Sequence, residues 1–189
     1  MEVRYFDNSA TTRIKEAVLT EMFPFLSREY GNPSSLYSIG RKSKRAIEEA
    51  RKRVASLINC NPEEIYFTSC GSESDNTALK GIAYANSNKG KHIITSKIEH
   101  PAILHSCQNL EKKGFEVTYL DVDKDGFVNL QTLENSIRQD TILISVMFAN
   151  NEIGTIEPIQ EIAKIAHKNG IIFHTDAVQA CGNIPIDVQ

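Results

Sequence analysis

The feature that most constrains the fold is a regular alternation of strand-like and helix-like segments through residues 64–175. Short apolar runs rich in β-branched residues are predicted strands, and segments with amphipathic helical spacing separate them. The predicted strands are residues 64–68, 92–96, 116–120, 141–147 and 171–175. Because strands that alternate with helices form right-handed βαβ units, we expect an α/β fold, a mainly parallel sheet with flanking helices.

Helical spacing is found between these strands and also before the first of them. The predicted helices are residues 15–26, 41–58, 74–86, 102–113, 130–139 and 159–168. The basic residues of the 41–58 helix alternate with apolar positions, which favours a solvated face over a binding patch. With no linker, repeat or low-complexity tract in view, residues 1–15 are expected to be an amino-terminal segment and residues 16–189 part of one large domain.

Composition excludes few functions but sets the expected environment. The chain is 41% hydrophobic and 24% charged with a net charge of −3, which is typical of a soluble protein and favours neither a nucleic acid nor a membrane as partner. No signal peptide or membrane span is visible, so a cytoplasmic location is expected. The cysteines lack metal-ligand spacing and are expected to be reduced thiols: Cys60, Cys70, Cys107 and Cys181.

Small or polar side chains follow four of the predicted strands. The sequence SCGSESDN lies at residues 69–76, His100 follows the second strand, and NNEIG lies at residues 150–154. Asp176 and Gln179 follow the fifth strand. Because ligands of open α/β sheets bind beyond the carboxyl ends of the strands, we expect these residues to surround one ligand site.

Each of these signals has a structural alternative. Gly71 and Ser72 would suit a phosphate, since a helix N-terminus presents free N–H groups, but a serine there can equally be an ordinary helix cap. His100 alone is more often structural than functional. In combination, a phosphate cradle, a stacking histidine, amides for a ring oxygen and a carboxylate for a ring nitrogen suggest pyridoxal phosphate. A buried aspartate such as Asp176 would stabilise the charged pyridine nitrogen on which that cofactor depends.

The sequence closely resembles the amino-terminal half of cysteine desulfurases, in the class-V aminotransferase family of fold-type I pyridoxal-phosphate enzymes. The resemblance spans essentially the whole chain, in order and at family spacing. It is carried by residues 5–12 (YFDNSATT), 31–35 (GNPSS), 67–76 (FTSCGSESDN), 99–100 (EH), 150–154 (NNEIG) and 174–179 (HTDAVQ).

The resemblance implies roles for particular residues and a reaction. Gly71 and Ser72 would bind the cofactor phosphate. His100 would stack on the pyridine ring and is a candidate for proton transfer, and Asp176 would pair with the ring nitrogen. Asn151 and Gln179 would approach the phenolic oxygen of the ring. The reaction converts L-cysteine to L-alanine and leaves a persulfide for iron–sulfur scaffolds or similar acceptors, usually in a homodimer.

Two nucleophiles of the family are not found in these 189 residues. The resemblance places the Schiff-base lysine and the persulfide cysteine further along the chain, together with two strands that insert between the first and fifth predicted strands. We therefore expect a fragment, a split-gene half or one piece of an assembly, inactive alone and completed by a carboxyl-terminal half. A selenocysteine lyase, another class-V enzyme and a non-catalytic pseudoenzyme remain alternatives.

Overall fold

The computed structural model describes residues 4–189, which form two compact units. One unit comprises residues 67–183, and the other comprises residues 4–66 with residues 184–189. The predicted boundary between residues 15 and 16 is untested by this division and stays a prediction.

The larger unit contains a four-stranded parallel sheet. Its strands are β1 His92–Ser96, β2 Glu116–Leu120, β3 Thr141–Ser145 and β4 Ile172–His174, in the order β2-β1-β3-β4. Its helices are α3 Gly71–Ala85, α4 Pro101–Glu111, α5 Leu130–Asn135 and α6 Ile159–Lys168. The predicted fold class, a parallel sheet with flanking helices, is confirmed.

Alternate residues of the central strands pack into two separate apolar cores. Ile93 and Leu143 pack with α3 and α4 on one face of the sheet. Ile94 and Ile144, one position further along, pack with α5 and α6 on the other face. All four side chains are fully buried, which stabilises the fold by roughly 1.5–3 kcal/mol for each. Burial on both faces explains why these strands read as continuous apolar runs rather than as an alternating pattern.

A buried histidine joins three strands at the start of the sheet. His92 Nδ1 lies 2.8 Å from Thr141 Oγ1 on β3, and its Nε2 lies 2.8 Å from Thr118 Oγ1 on β2. Burial lowers the pKa of His92. These two contacts give both ring nitrogens a hydrogen-bond partner, as a fully buried polar side chain requires.

The smaller unit contains helices α1 Glu16–Ser27 and α2 Ser38–Ile58 and a 3₁₀ turn at Pro62–Glu64. Helix α2 ends at Ile58 and is capped by Asn59, whose φ of 56° lies in the left-handed region that asparagine tolerates. Close packing explains two glycines, because a Cβ at Gly31 would lie 2.5 Å from Ile39 and one at Gly40 would lie 2.5 Å from the Asn32 carbonyl.

The prediction of a first strand at residues 64–68 is wrong. Residues 62–64 form the 3₁₀ turn, and residues 65–68 lie outside the sheet. Strand formation requires a neighbouring strand, and local sequence pattern carries no information about whether one is present. The predicted helix at 130–139 also ends early, at Asn135, because the backbone then turns back to start β3, with Thr141 Oγ1 accepting from the Arg138 amide at 2.8 Å.

The remaining predicted elements occur within a few residues of their expected bounds. Helix α3 begins at Gly71 rather than at residue 74, and β3 and β4 are shorter than expected. In the part of the chain that the structure describes, no helix has both the length and the apolar character that a membrane crossing requires.

We predict unequal effects of one substitution at two isoleucines. Ile144→Ala should lower the free energy of unfolding by about 2–5 kcal/mol, because it opens a cavity between β3 and α6. Ile156→Ala, at a side chain that is 50% exposed, should cost about 0.5 kcal/mol or less. Urea unfolding followed by circular dichroism measures both, and equal losses would contradict the assignment of Ile144 to the core.

Candidate functional site

The amino terminus of α3 presents backbone amides at the carboxyl edge of the sheet. Cys70 is the extended cap residue, and its carbonyl accepts from the Glu73 and Ser74 amides. The amides of Gly71 and Ser72 donate to no acceptor within residues 4–189. Since the positive end of the helix dipole lies at the same place, these two amides can bind an anion.

The loop before α3 is closed by a carboxylate from the first turn of the helix. Glu73 Oε2 accepts from both the amide and the hydroxyl of Ser69, each at 2.6 Å. These hydrogen bonds lower the pKa of Glu73. The carboxylate therefore takes the donors of Ser69 and leaves those of Gly71 and Ser72 for a ligand.

The first turns of α3 pack against the chain beyond β4. A Cβ placed at Gly71 would lie 3.0 Å from Val178 Cγ2, so a larger residue would require the loop to move. One turn further along the helix, the buried Asp75 faces His174, with 3.9 Å between Oδ1 and Nε2. His174 Nδ1 in turn lies 2.9 Å from Ser145 Oγ on the adjacent strand.

The environment of these groups suppresses charge. Burial lowers the pKa of His174 to about 4, although the nearby Asp176 opposes this change. Burial and the same aspartate raise the pKa of Asp75 to about 6. At pH 7 the imidazole is therefore neutral, and its 3.9 Å approach to Asp75 is a polar contact rather than an ion pair.

Asp176 is buried directly after β4. Its side chain is held by the Val178 amide, which donates to Oδ1 at 2.9 Å, while the Phe148 amide donates to its backbone carbonyl at 2.8 Å. No described residue donates a hydrogen bond to Oδ2, so this oxygen can accept from a ligand. Gln179 follows in the same turn and is half-buried.

A groove of about 480 Å³ lies between the chain beyond β1 and the chain beyond β3. His100 and Asn151 are on its two walls. His100 caps α4, since its Nδ1 accepts from the Ala102 amide at 3.1 Å. Nε2 is consequently the nitrogen that carries the proton in the neutral ring. The other residues that line the groove are Lys97, Ile98, Glu99, Pro101, Asn150, Glu152 and Ile153.

The structure thus brings the predicted site residues together in two groups. Gly71 packs against Val178, which lies between Asp176 and Gln179, and His100 shares the groove with Asn151. The exposed Ser72 lies beside Gly71 at the helix start. Their assigned roles stay predictions.

Sequence reasoning assigned no role to two buried acids and a half-buried histidine at this edge, although all three lie within the quoted motifs. Asp75, Glu99 and His174 each lie within four residues of a predicted site residue. Asp75 follows Gly71 by four positions, which places both on one face of α3, and this spacing was the available signal. In residues 4–189, no group of three or more histidine, cysteine and acidic side chains could hold a metal ion.

These features fit a ligand that has an anionic group and a protonated ring nitrogen. The unused amides of Gly71 and Ser72 suit a phosphate, and the unused oxygen of Asp176 suits a cationic N–H donor. The residues present are therefore compatible with pyridoxal phosphate.

Comparisons with known proteins identify the family. The aminotransferase class-V family model matches residues 4–189, and the chain belongs to this family. The chain is 62% identical to a cysteine desulfurase IscS of Methanosarcina thermophila over 98% of its own length and 46% of the relative's. The resemblance to the class-V family that the motifs indicated is confirmed.

Solved structures agree with this assignment. A NifS-like protein superposes with a TM-score of 0.94 at 44% identity, covering 97% of this chain and 51% of the other. A structure of SspA in complex with cysteine superposes with a TM-score of 0.95 at 41% identity, covering 98% of this chain and 54% of the other. The chain spans about half the length of the proteins that it matches.

We predict that the neutral His174 contributes stability that is lost in acid. The pKa of His174 is about 4 in the folded chain and 6.5 in its reference state, so the unfolded chain binds the proton more tightly. The stabilisation is complete above pH 6.5 and is lost as the pH falls toward 4. Between pH 7 and pH 5 it should decrease by on the order of 2 kcal/mol.

Urea unfolding of wild type and His174→Asn at both pH values measures this contribution. The change in stability from pH 7 to pH 5 should be about 2 kcal/mol less favourable in wild type than in His174→Asn. The raised pKa values of Asp75 and Glu99 act in the opposite direction, but they do so in both proteins. The matched change at the exposed His105 on α4, His105→Asn, should leave the wild-type response in place. An identical pH response in His174→Asn and wild type would contradict the prediction.

Proposed function

We propose that this chain forms the amino-terminal part of the pyridoxal-phosphate site of a cysteine desulfurase, which converts L-cysteine to L-alanine and passes the sulfur to an enzyme cysteine. One observation carries the proposal: an amide-rich helix start and a buried aspartate lie at the same sheet edge. The 62% identity of the chain to a protein named cysteine desulfurase also supports the proposal. A similar structure solved with cysteine supports the substrate.

In this proposal the two ends of the cofactor are held by different elements. The amides of Gly71 and Ser72 bind the phosphate at the positive end of α3. Asp176 accepts from the ring nitrogen and keeps it protonated, because a buried carboxylate favours a neighbouring cation. When bound, pyridoxal phosphate supplies an electron sink for negative charge that develops on the substrate.

The groove residues act on the ring and the substrate. His100 stacks on the ring and exchanges a proton at Nε2, because Nδ1 is occupied by the Ala102 amide. Asn151 and Gln179 donate toward the phenolic oxygen of the ring. These three side chains would together hold the cofactor in one orientation.

The complete reaction requires two more groups, a lysine that holds the cofactor covalently and a cysteine that accepts sulfur. The family resemblance places both in the carboxyl-terminal half. We infer that such a half completes the site, that the assembly is a cytoplasmic homodimer, and that a sulfur-acceptor protein such as an iron–sulfur scaffold receives the product sulfur.

Borohydride reduction with pyridoxal phosphate tests the division of roles between the halves. The chain alone should give no site-specific adduct by peptide mapping, because it lacks the lysine. With the carboxyl-terminal half of the Methanosarcina thermophila relative, a stoichiometric adduct should form on a lysine of that half. A stoichiometric adduct on one lysine of this chain would overturn the assignment.

We predict that alanine formation by the reconstituted pair depends on Asp176. Asp176→Ala should lower the rate from L-cysteine by about 100-fold or more, because the ring nitrogen loses the carboxylate that keeps it protonated. Asp125→Asn, at an exposed loop carboxylate, should retain the wild-type rate. A well-folded pair that binds the cofactor but forms no alanine from cysteine or selenocysteine would instead support a non-catalytic protein.

A further inference from the structure

Glu99 has an unusual environment at the end of β1. The residue is buried, with only 4% of its surface exposed. Oε1 accepts from Ser96 Oγ at 2.6 Å and from the Met147 amide at 2.9 Å. Oε2 is buried and has no hydrogen-bond partner among the described residues. One oxygen of this carboxyl therefore makes two hydrogen bonds while the other makes none.

The hydrogen bonds of Glu99 join the two walls of the groove. Glu99 directly precedes His100 on one wall, and Met147 leads to Asn150 and Asn151 on the other. Asn150 makes a reciprocal link, since its Nδ2 donates to the Ile98 carbonyl at 2.9 Å. The segment after β1 and the segment after β3 are thus cross-linked in both directions.

Asn150 also shapes the second wall. Its Oδ1 accepts from the amides of Glu152 and Ile153 at 2.8 Å and 3.1 Å. The loop that carries Asn151 is therefore built around a side chain whose other end is bonded to the first wall. A change at Glu99 will consequently affect both walls of the groove.

The surroundings of Glu99 favour its neutral form. Burial, together with the negative charges of Asp176 and Glu157, raises its pKa to about 8 in spite of the two hydrogen bonds. Cys107 on α4 is neutral at pH 7 because burial raises the pKa of its thiol to about 12. The remaining titratable groups along the groove are Lys97, His100 and Glu152.

We propose that Glu99 is a positioning residue that acts as a neutral acid, holding His100 and Asn151 at a fixed separation across the groove. Because Oε1 accepts both hydrogen bonds, the proton resides on Oε2. Loss of that proton would place a buried negative charge near Asp176 and Glu157. Repulsion between these charges, and not a weakening of the two hydrogen bonds, would then displace the walls. The functional meaning of this link rests on the cofactor site proposed above.

Three variants separate charge from hydrogen bonding. In Glu99→Gln the amide oxygen can accept both hydrogen bonds and cannot ionise, so it mimics the protonated acid. In Glu99→Leu the Ser96 hydroxyl and the Met147 amide both lose their acceptor. Glu152→Gln removes one carboxylate from the same groove at an exposed position and serves as the matched control for charge.

The first test concerns protonation and uses the 189-residue chain without cofactor. Infrared difference spectra at pH 7 between wild type and Glu99→Gln should contain a protonated-carboxyl band from the wild type. The Met147 amide resonance should shift with a midpoint near pH 8 in wild type and in Glu152→Gln, but not in Glu99→Gln. Absence of the band and of the shift would overturn the proposal.

The second test concerns positioning and uses pyridoxal phosphate with the reconstituted pair. Glu99→Leu should weaken binding by about tenfold to 100-fold at pH 7, because two buried donors lose their acceptor, whereas Glu99→Gln should stay within about twofold of wild type. Wild-type affinity relative to Glu99→Gln should fall as the pH rises from 7 to 9. Wild-type affinity in Glu99→Leu would overturn the positioning role.

The two proposals can fail separately. If wild type binds no pyridoxal phosphate, the proposed function fails, and the resonances of His100 and Asn151 in the chain still decide the role of Glu99. The chemical shifts of these resonances should change in Glu99→Leu and stay the same in Glu99→Gln. If Glu99→Leu does not fold, the pH response of wild type against Glu99→Gln decides the matter.

Discussion

Parallel pairing of β3 with both β1 and β4 is the constraint on which the rest of the larger unit depends. It aligns the carboxyl ends of three strands, so that the segments carrying His100, Asn151 and Asp176 leave the sheet at one edge. The same pairing places Ser145 beside His174, where their hydrogen bond forms. A register shift of one residue would turn the side chain of His174 away from Ser145, to the opposite face of the sheet.

Charge suppression is the second common element of this edge. Four acidic side chains, Asp75, Glu99, Glu157 and Asp176, are buried within the larger unit. Burial raises the pKa of the first three, and His174 stays neutral among them. Such an arrangement is costly in isolation, but a cationic group bound at Asp176 would offset part of the repulsion. Acidic groups with strongly shifted pKa values cluster at catalytic and binding sites, which agrees with a ligand site at this edge.

The sequence predicted the elements that depend on local pattern. The β1 and β2 bounds agree with expectation because both runs are rich in residues that favour strands, and α6 agrees because its amphipathic spacing is regular. The expected strand at residues 64–68 is absent from the sheet, since pairing depends on neighbours that a local pattern does not specify. Motif reasoning placed His100, Asn151 and Asp176 at one edge, but it gave no role to Glu99. The proposed role of Glu99 depends on its hydrogen bond from the Met147 amide, 48 positions away.

Apolar periodicity and the order of the motifs are properties of neighbouring residues, and the sequence alone was enough to establish them together with the α/β class and the family. The protonation states of Asp75, Glu99 and His174 are of another kind. They arise from exclusion of water and from the proximity of Asp176, which belongs to a different part of the chain for two of them. Folding brings these groups together, and only then does the low polarity of the interior raise the pKa values of the two acids and lower that of the histidine.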